Sequence, residues 1–282
     1  MAAPETGRVS IETGVVVGRG GDRELRADVF TPPPGTGNGA GILLIHGGGW
    51  VQGDRSQLRG YGILLGRIGY TSVACEYRLA PTDRWPAQIH DVKAALRWMR
   101  ANAGALGIDP EKIAVSGNSA GGHLSLITAG TPNLPAFEGE GGNAGVPTHV
   151  AACVAFYAPA LLYTPRRALP EQLNFLFGRG YSEETAKDAS PITHVSAEFP
   201  PTCLITGTKD ELVPYEASVR MFEALLAAGA KAELHAYEGL PHGFDALPDF
   251  GRQTAQIQAL FFDRHVVNPR PIVLPQAAAA AG

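Results

Sequence analysis

The sequence has little cysteine: Cys75, Cys153 and Cys203 are the three in a chain of 282 residues. An odd number with no Cys-x-x-Cys or Cys/His spacing argues against a disulfide framework and against a zinc site. No two histidines have the H-x-x-x-H spacing of a metal site on a helix. Each cysteine lies in an apolar, strand-like run, so we predict buried free thiols, no metal and no cofactor.

The chain also lacks a strong excess of charge and any long apolar run. Its formal net charge is −4, and no cluster of Lys or Arg suggests nucleic acid or an anionic membrane surface as a partner. The start, "MAAPETGRVSIETG", has neither a basic segment nor an apolar signal-peptide core, and no run of about 18 apolar residues could span a bilayer. We therefore expect a soluble, cytoplasmic protein with no nucleic-acid or membrane partner.

What the sequence contains is an alternation of short apolar runs and amphipathic stretches. The runs "ILLIH", "TSVAC", "KIAVS", "VAACVAFY" and "TCLITG" are typical of strands buried on both faces. Helices are predicted between them, most clearly over residues 86–101 and 215–228. This alternation predicts an α/β fold with a mostly parallel central sheet of about eight strands and helices on both faces.

The remaining segments complete the predicted organisation. "VSIETGVVV" and "ELRADVF", joined by "GRGGD", predict an N-terminal antiparallel hairpin. We interpret residues 1–265 as a single domain in which residues 160–192 form a small cap insertion, because long irregular stretches in compact folds are usually functional or mobile. The Pro- and Ala-rich residues 266–282 are predicted to form a flexible tail.

Residues 117–121, "GNSAG", fit the pattern G-x-S-x-G between an apolar strand and a predicted helix. Small neighbours allow a sharp turn that exposes the hydroxyl of Ser119, and the helix that follows points N–H groups at the site. An ordinary serine in a glycine-rich bend is the alternative, but the strand and helix on either side favour a nucleophile. A serine nucleophile also needs a histidine base, a carboxylate and oxyanion donors.

The donors are predicted in "HGGGW", residues 46–50, directly after the strand "ILLIH". Successive glycines let the backbone approach a substrate and aim N–H groups inward. We assign Gly48, Gly49 and the backbone N–H of Ala120 to the oxyanion hole, with Gly47 as a hinge or an additional donor. A flexible loop without this role is the alternative.

The carboxylate and the base are predicted after the last two strands. Asp210, in "TCLITGTKDELVP", lies just past a strand end, and its neighbour Glu211 is the alternative. His242, in "GLPHGF", follows the last strand. The order Ser119, Asp210, His242 is the nucleophile–acid–base order of α/β-hydrolases. Of the other histidines, His46 is expected to support its loop by hydrogen bonding.

Five motifs, "HGGGW", "EYRLAP", "GNSAGGHL", "GTKDELVP" and "PHGF", carry a resemblance that covers about residues 10–265. In their order and spacing the chain resembles α/β-hydrolase carboxylesterases of the hormone-sensitive-lipase-like and acetyl- and feruloyl-esterase-like branch. The resemblance implies the α/β-hydrolase fold, with Ser119 as nucleophile, His242 as base and Asp210 orienting that base. Asn118 replaces the Asp that is common in hormone-sensitive-lipase-like members, and a hairpin replaces their helical cap. Both departures favour the smaller-capped relatives.

The substrate pocket is predicted from weaker signals. Trp50 is expected to wall the acyl side, Phe244 to line the alcohol side and Asn118 to contact substrate, while core packing is the alternative for each aromatic. In the cap insertion the apolar candidates are Phe175, Leu176 and Phe177. Without a large cap, an open site favours short acyl chains, from acetyl to about hexanoyl.

These features together predict a serine carboxylesterase that hydrolyses small-molecule, short-chain acyl esters through an acyl-enzyme intermediate. An amidase, formamidase or peptidase with the same three side chains is one alternative. A non-catalytic binding protein on the same fold is another, although such proteins typically lose the serine or the histidine. An edge strand or the last helix could pair two subunits as a homodimer.

Overall fold

The computed structural model describes residues 7–163 and 170–270. In this part of the chain, eight strands form one sheet with the order β1-β2-β4-β3-β5-β6-β7-β8. The strands are β1 Ser10–Gly20, β2 Arg23–Thr31, β3 Gly41–Ile45, β4 Thr71–Cys75, β5 Ile113–Asn118, β6 Cys153–Phe156, β7 Thr202–Gly207 and β8 Ala232–Tyr237. Strands β3 to β8 run parallel, and β1 and β2 form an antiparallel hairpin at one edge. The predicted architecture is confirmed.

Helices cover both faces of this sheet. They are α1 Arg59–Arg67, α2 Ala87–Ala101, α3 Ala103–Leu106, α4 Ala120–Gly130, α5 Pro135–Glu138, α6 Pro170–Phe177, α7 Glu183–Asp188, α8 Glu216–Ala227 and α9 Pro248–Phe262. Helices α1 and α9 pack on one face, while α2, α4 and α8 pack on the other. Across the described ranges, no helix is both long enough and apolar enough to cross a membrane.

The continuous apolar runs form strands because both faces of the sheet are covered. Every residue of β3 is buried, and its side chains alternate between two cores. Leu43 and Ile45 pack under α2 and α4, whereas Ile42 and Leu44 pack under α1 and α9. A strand with one solvated face would show polar residues at every second position.

The helix boundaries follow from local sequence. Helix α2 begins directly after Pro86, which lacks the N–H that a first turn leaves without a partner. Helix α8 ends two residues before Gly229, which adopts a left-handed φ of +83°. Both helices agree with their predicted ranges to within one residue.

The topology places two loops side by side. Strand β3 lies between β4 and β5, so the chain leaves β3 toward one side and returns as β5 on the other. Ligands of open α/β sheets bind at the carboxyl ends of strands where the order reverses in this way. The loops after β3 and β5 carry the "HGGGW" and "GNSAG" motifs.

The predicted cap insertion and the predicted C-terminal tail lie partly outside the described residues. The segment predicted as a cap insertion, residues 160–192, contains α6, α7 and the start of a short 3₁₀ turn over Pro191–His194, and its residues 164–169 are not among those described. Of the predicted tail, Val266 and Val267 complete a π-helical turn that extends α9, with Val266 buried. Residues 271–282 lie outside the described range.

Candidate active site

Ser119 lies at the turn between β5 and α4. Its φ of +55° and ψ of −119° fall in a region that a non-glycine residue adopts only at an energetic cost. The glycines on either side permit the turn. A Cβ on Gly117 would lie 2.5 Å from the backbone of Gly121, and a Cβ on Gly121 would lie 2.0 Å from the carbonyl oxygen of Ile45. The turn therefore presents the Ser119 side chain at the end of the sheet.

The side chains of Ser119, His242 and Asp210 form a continuous row of hydrogen bonds. His242 Nε2 lies 2.9 Å from Ser119 Oγ, and His242 Nδ1 lies 2.6 Å from Asp210 Oδ2. Because a carboxylate accepts, Nδ1 donates to Asp210, which leaves Nε2 able to accept the Ser119 proton. The three residues follow β5, β8 and β7, strands that run parallel and end at the same edge of the sheet.

The Asp210 carboxylate is held by the backbone of its own loop. It is 8% exposed, and its Oδ1 accepts from the N–H groups of Leu212 and Val213 at 2.9 and 2.8 Å. These bonds orient the carboxylate so that Oδ2 faces His242. Glu211, the alternative acid, is exposed to solvent. The structure thus brings Asp210, and not Glu211, to the histidine.

The glycine loop after β3 has a backbone that requires glycine. Gly48 and Gly49 have φ values of +115° and +60°, and Val51 and Gln52 both donate backbone hydrogen bonds to the Gly48 carbonyl at 3.1 Å. Among the described residues, no acceptor is bonded to the N–H groups of Gly48, Gly49 or Ala120. Ala120 lacks one because it begins α4. Such donors can bind an oxygen that gains negative charge.

His46 supports this loop from below. Its Nδ1 lies 2.8 Å from the carbonyl oxygen of Gly47, its ring stacks on Tyr77 at 4.2 Å, and the Tyr77 hydroxyl donates to the His46 carbonyl at 3.0 Å. Burial lowers the pKa of His46, so the neutral ring donates through Nδ1. A Cβ on Gly47 would lie 3.3 Å from the Ser119 Cβ, so the loop passes close to the serine.

Of the three side chains predicted to contact substrate, Asn118 lines the cleft and the two aromatics do not. Trp50 has a φ of +63°, is 1% exposed and donates from its indole to His123 Nδ1 at 3.3 Å. Phe244 is equally buried and packs against the rings of Tyr157 and other aromatics. The structure corrects the expectation for both, because each fills a gap in the core instead of facing the cleft.

The cleft at Ser119 has a volume of about 990 Å³. Its walls are the glycine loop, α1, the loop that carries His242 and the start of α9. From the cap insertion, Gln172 of α6 lines the cleft, whereas Leu176 is buried and Phe175 is 37% exposed without lining it. The segment predicted as a cap therefore contributes an amide side chain where the sequence predicted apolar ones.

The sequence analysis missed a polar cluster at the base of the cleft. Asp245 is 7% exposed and accepts hydrogen bonds from the Tyr157 hydroxyl and, at 3.1 Å, from the Tyr61 hydroxyl. Burial raises the pKa of both tyrosines well above its usual range, so both remain donors. An acidic residue three positions after His242 was the one local signal. The tyrosines lie 88 and 184 residues from Asp245 in the sequence, and nothing local marks them.

Within residues 7–163 and 170–270, one group of potential metal ligands lies outside the cleft. Ligand atoms of Cys203, Glu233 and His235 lie within 4.8 Å of one another. Arg264 forms an ion pair with Glu233 at the same place, and burial raises the pKa of Cys203 to about 12. Because a metal binds the thiolate and is repelled by a guanidinium, these residues do not fit a metal ion.

A comparison with family models gives one match, to BD-FAE over residues 27–225. The chain belongs to the BD-FAE family. The matched range includes the glycine loop, Ser119 and Asp210 and ends before His242. Membership in this family agrees with the α/β-hydrolase carboxylesterase resemblance of the sequence motifs.

Several curated relatives of this BD-FAE family member are named as esterases. Esterase LipC of Mycobacterium tuberculosis is 37% identical over 238 residues, which cover 79% of this chain and 58% of LipC. Carboxylesterase NlhH of the same organism is 30% identical over 256 residues, which cover 81% of this chain and 73% of NlhH. The chain spans between 51% and 58% of the length of the first three relatives that it matches.

Solved structures of esterases share the fold of this family member. A truncated carbohydrate esterase from gut microbiota superposes with a TM-score of 0.83 at 26% identity, covering 94% of this chain and 99% of that one. Thermogutta terrifontis Est2 with propionate bound gives 0.77 at 27% identity, covering 95% and 98%. Est2 phosphorylated by paraoxon gives 0.73 at 28% identity, covering 93% and 95%.

Proposed function

We propose that this BD-FAE family member is a serine carboxylesterase that hydrolyses small-molecule esters through Ser119, His242 and Asp210. The observation that carries the proposal is the row of hydrogen bonds from Ser119 Oγ through His242 to Asp210, at the base of an open cleft. The backbone N–H groups of the glycine loop and of Ala120 add the donors that acyl transfer needs. The names of the relatives support the same reaction.

In the proposed reaction Ser119 Oγ attacks the ester carbonyl while His242 Nε2 takes its proton. Gly48, Gly49 and Ala120 donate hydrogen bonds to the carbonyl oxygen as it becomes negative. His242 then protonates the alkoxide oxygen as its bond to the acyl carbon breaks, so the alcohol leaves and the acyl group stays on Ser119. Water that loses a proton to His242 releases the acid and restores the serine.

For the acyl group we propose short chains, from acetyl to about hexanoyl. In the described part of the proposed cap insertion, the one residue that lines the cleft is the polar Gln172, so this segment adds no apolar residue for a long acyl chain to pack against. Structures of Est2 with propionate and with butyrate bound support the same range. The acyl chain would lie among apolar side chains of the cleft wall, such as Val51, Val213 and Leu212.

The test is a set of initial rates on p-nitrophenyl esters from acetate to palmitate, with Ser119→Ala as the matched variant. We expect activity that peaks at short chains and is lost in Ser119→Ala. Mass spectrometry should show that paraoxon phosphorylates the wild-type chain once and leaves Ser119→Ala unmodified. Activity on amides alone would replace the esterase proposal with an amidase, and a peak at palmitate would contradict the short-chain assignment.

Three further expectations stay proposals. Residues 1–265 are proposed to form one domain with a cap insertion at residues 160–192, which the single sheet supports. A homodimer is proposed through an edge strand, either β1 or β8, or through the last helix, α9, and light scattering tests it. The cytoplasmic location predicted from the sequence stays a prediction.

A further inference from the structure

The polar cluster beneath the cleft connects three elements at one carboxylate. Asp245 Oδ1 accepts from Tyr157, at the end of β6, and Oδ2 accepts from Tyr61, on α1. Thr254 Oγ1, on α9, lies 2.7 Å from the Tyr61 hydroxyl. All four residues are at most 9% exposed. A buried carboxylate without such donors would be destabilising, so these hydrogen bonds fix the position of the Asp245 side chain.

Tyr157 connects this cluster to His242. The two ring centroids are 4.4 Å apart, with an angle of 58° between the ring planes. Tyr157 has limited freedom to move, since its N–H donates to the Ile205 carbonyl of β7 at 2.6 Å and its hydroxyl is held by Asp245. Its ring is thus fixed at both ends in contact with the imidazole.

His242 needs this second support. The bond from Nδ1 to Asp210 fixes one edge of the ring but leaves the imidazole able to tilt about that bond. A tilt would move Nε2 away from Ser119 Oγ, which lies 2.9 Å away. Asp245 opposes the tilt in two ways, because it holds the Tyr157 ring and because it anchors the same loop three residues after His242.

We propose that Asp245 is a positioning residue for His242. It acts through the Tyr157 ring and through the loop that contains both Asp245 and His242. The inference rests on the proposed esterase function. Tyr61 holds the other oxygen of Asp245, but its ring packs against Phe156, so it belongs to the cluster and not to the support of the imidazole.

The variants Tyr157→Phe and Tyr61→Phe form a matched pair, since each removes one hydroxyl from the same carboxylate. Misplacing a catalytic group by about 1 Å can cost roughly 100-fold in rate. We expect Tyr157→Phe to lower kcat on p-nitrophenyl acetate by about 10-fold and Tyr61→Phe by less than about 3-fold, with KM unchanged in both. Equal losses in the two variants would overturn the proposal.

Asp245→Ala and Asp245→Asn test the carboxylate itself, with the exposed Asp249→Ala as control. We expect Asp245→Ala to lower kcat by up to about 100-fold and Asp245→Asn, which keeps an acceptor oxygen, to recover most of it. In a His242→Ala background, Asp245→Ala should lower kcat no further, because no imidazole remains to be positioned. If Asp245→Ala lowers kcat as much in that background as in the wild type, its role is purely structural and the proposal is overturned.

These measurements distinguish a failure of the proposed esterase function from a failure of the positioning role of Asp245. If the wild-type chain hydrolyses no ester, the proposed function fails before any variant is compared. If the wild type is active and Asp245→Ala or Tyr157→Phe retains the full kcat, only the positioning role fails.

Discussion

The turn that positions Ser119 requires a residue without a side chain at Gly121. An added Cβ would meet the carbonyl oxygens of Ile45 at 2.0 Å and of His46 at 2.5 Å. Both belong to the chain at the end of a central strand, which cannot move aside without disturbing the sheet. We expect Gly121→Ala to lower the free energy of unfolding by about 3 kcal/mol and to abolish the proposed esterase activity, as measured by urea denaturation and initial rates.

Gly60→Ala is the control for this prediction. Gly60 lies in α1, and a Cβ there would have nothing within 4 Å. Alanine in an exposed helix position should stabilise the protein by up to about 1 kcal/mol. If Gly121→Ala unfolds at the same urea concentration as Gly60→Ala, the backbone around Ser119 is less rigid than its contacts indicate.

The residues that the sequence could identify are those marked by local backbone requirements. Ser119, Gly48 and Gly49 lie in short motifs whose glycines are needed for positive φ angles or close contacts, and such requirements are visible in a few letters. Trp50 and Phe244 were assigned to the wrong environment because the direction of a side chain depends on φ angles and packing that no motif encodes. Asp245 was missed because its partners come from distant elements.

At the scale of elements, His123 links three segments. It lies on α4, accepts from the Trp50 indole next to the glycine loop at 3.3 Å, and its Nε2 lies 2.7 Å from the Ala189 carbonyl after α7. Both bonds require a neutral ring that donates through Nε2. Burial lowers the pKa of His123 from 6.5 to about 4, since the imidazolium is poorly solvated there.

This shift predicts a dependence of stability on pH. Between pH 6.5 and about 4 the unfolded chain binds a proton at this histidine and the folded chain does not, so the free energy of unfolding falls as the pH is lowered through that window. Above this window the contribution is constant. A shift of this size corresponds to roughly 3 kcal/mol over the whole window.

The measurement compares wild type with His123→Gln by urea denaturation at several pH values from 8 down to about 4. Glutamine can replace the donor and the acceptor but does not titrate, so its stability should fall less steeply on acidification. His265, whose pKa is also lowered to about 4, titrates in both proteins and cancels in the comparison. Parallel pH profiles would show that His123 is protonated as readily in the folded chain as in the unfolded one.

The elements themselves were largely predictable because their signals are periodic and local. The apolar runs predicted β3 to β7, and the amphipathic stretches predicted α2 and α8, to within a few residues. The π-helical turn that extends α9 and buries Val266 was not predicted, since the end of this helix is set by packing against the core and not by a capping residue. The contacts between elements at the cleft required the three-dimensional structure.

At the scale of the whole molecule, the three thiols lie on different strands of one sheet. Cys75 ends β4, Cys153 begins β6 and Cys203 lies in β7, and each is fully buried. Burial raises the pKa of all three, to about 12 for Cys75 and Cys203, so almost no thiolate is present at neutral pH. Their reaction with a thiol reagent therefore requires the sheet to open.

We expect the native protein to show no fast-reacting thiol with Ellman's reagent, while the protein unfolded in guanidinium should react at all three. Because the strands share one core on each face, the three thiols should be labelled at one common rate that increases with denaturant as global unfolding does. Mass spectrometry of peptides resolves the three sites. Faster labelling of Cys203, next to edge strand β8, would instead show that this side of the sheet opens by itself, and it would contradict a single cooperative unit.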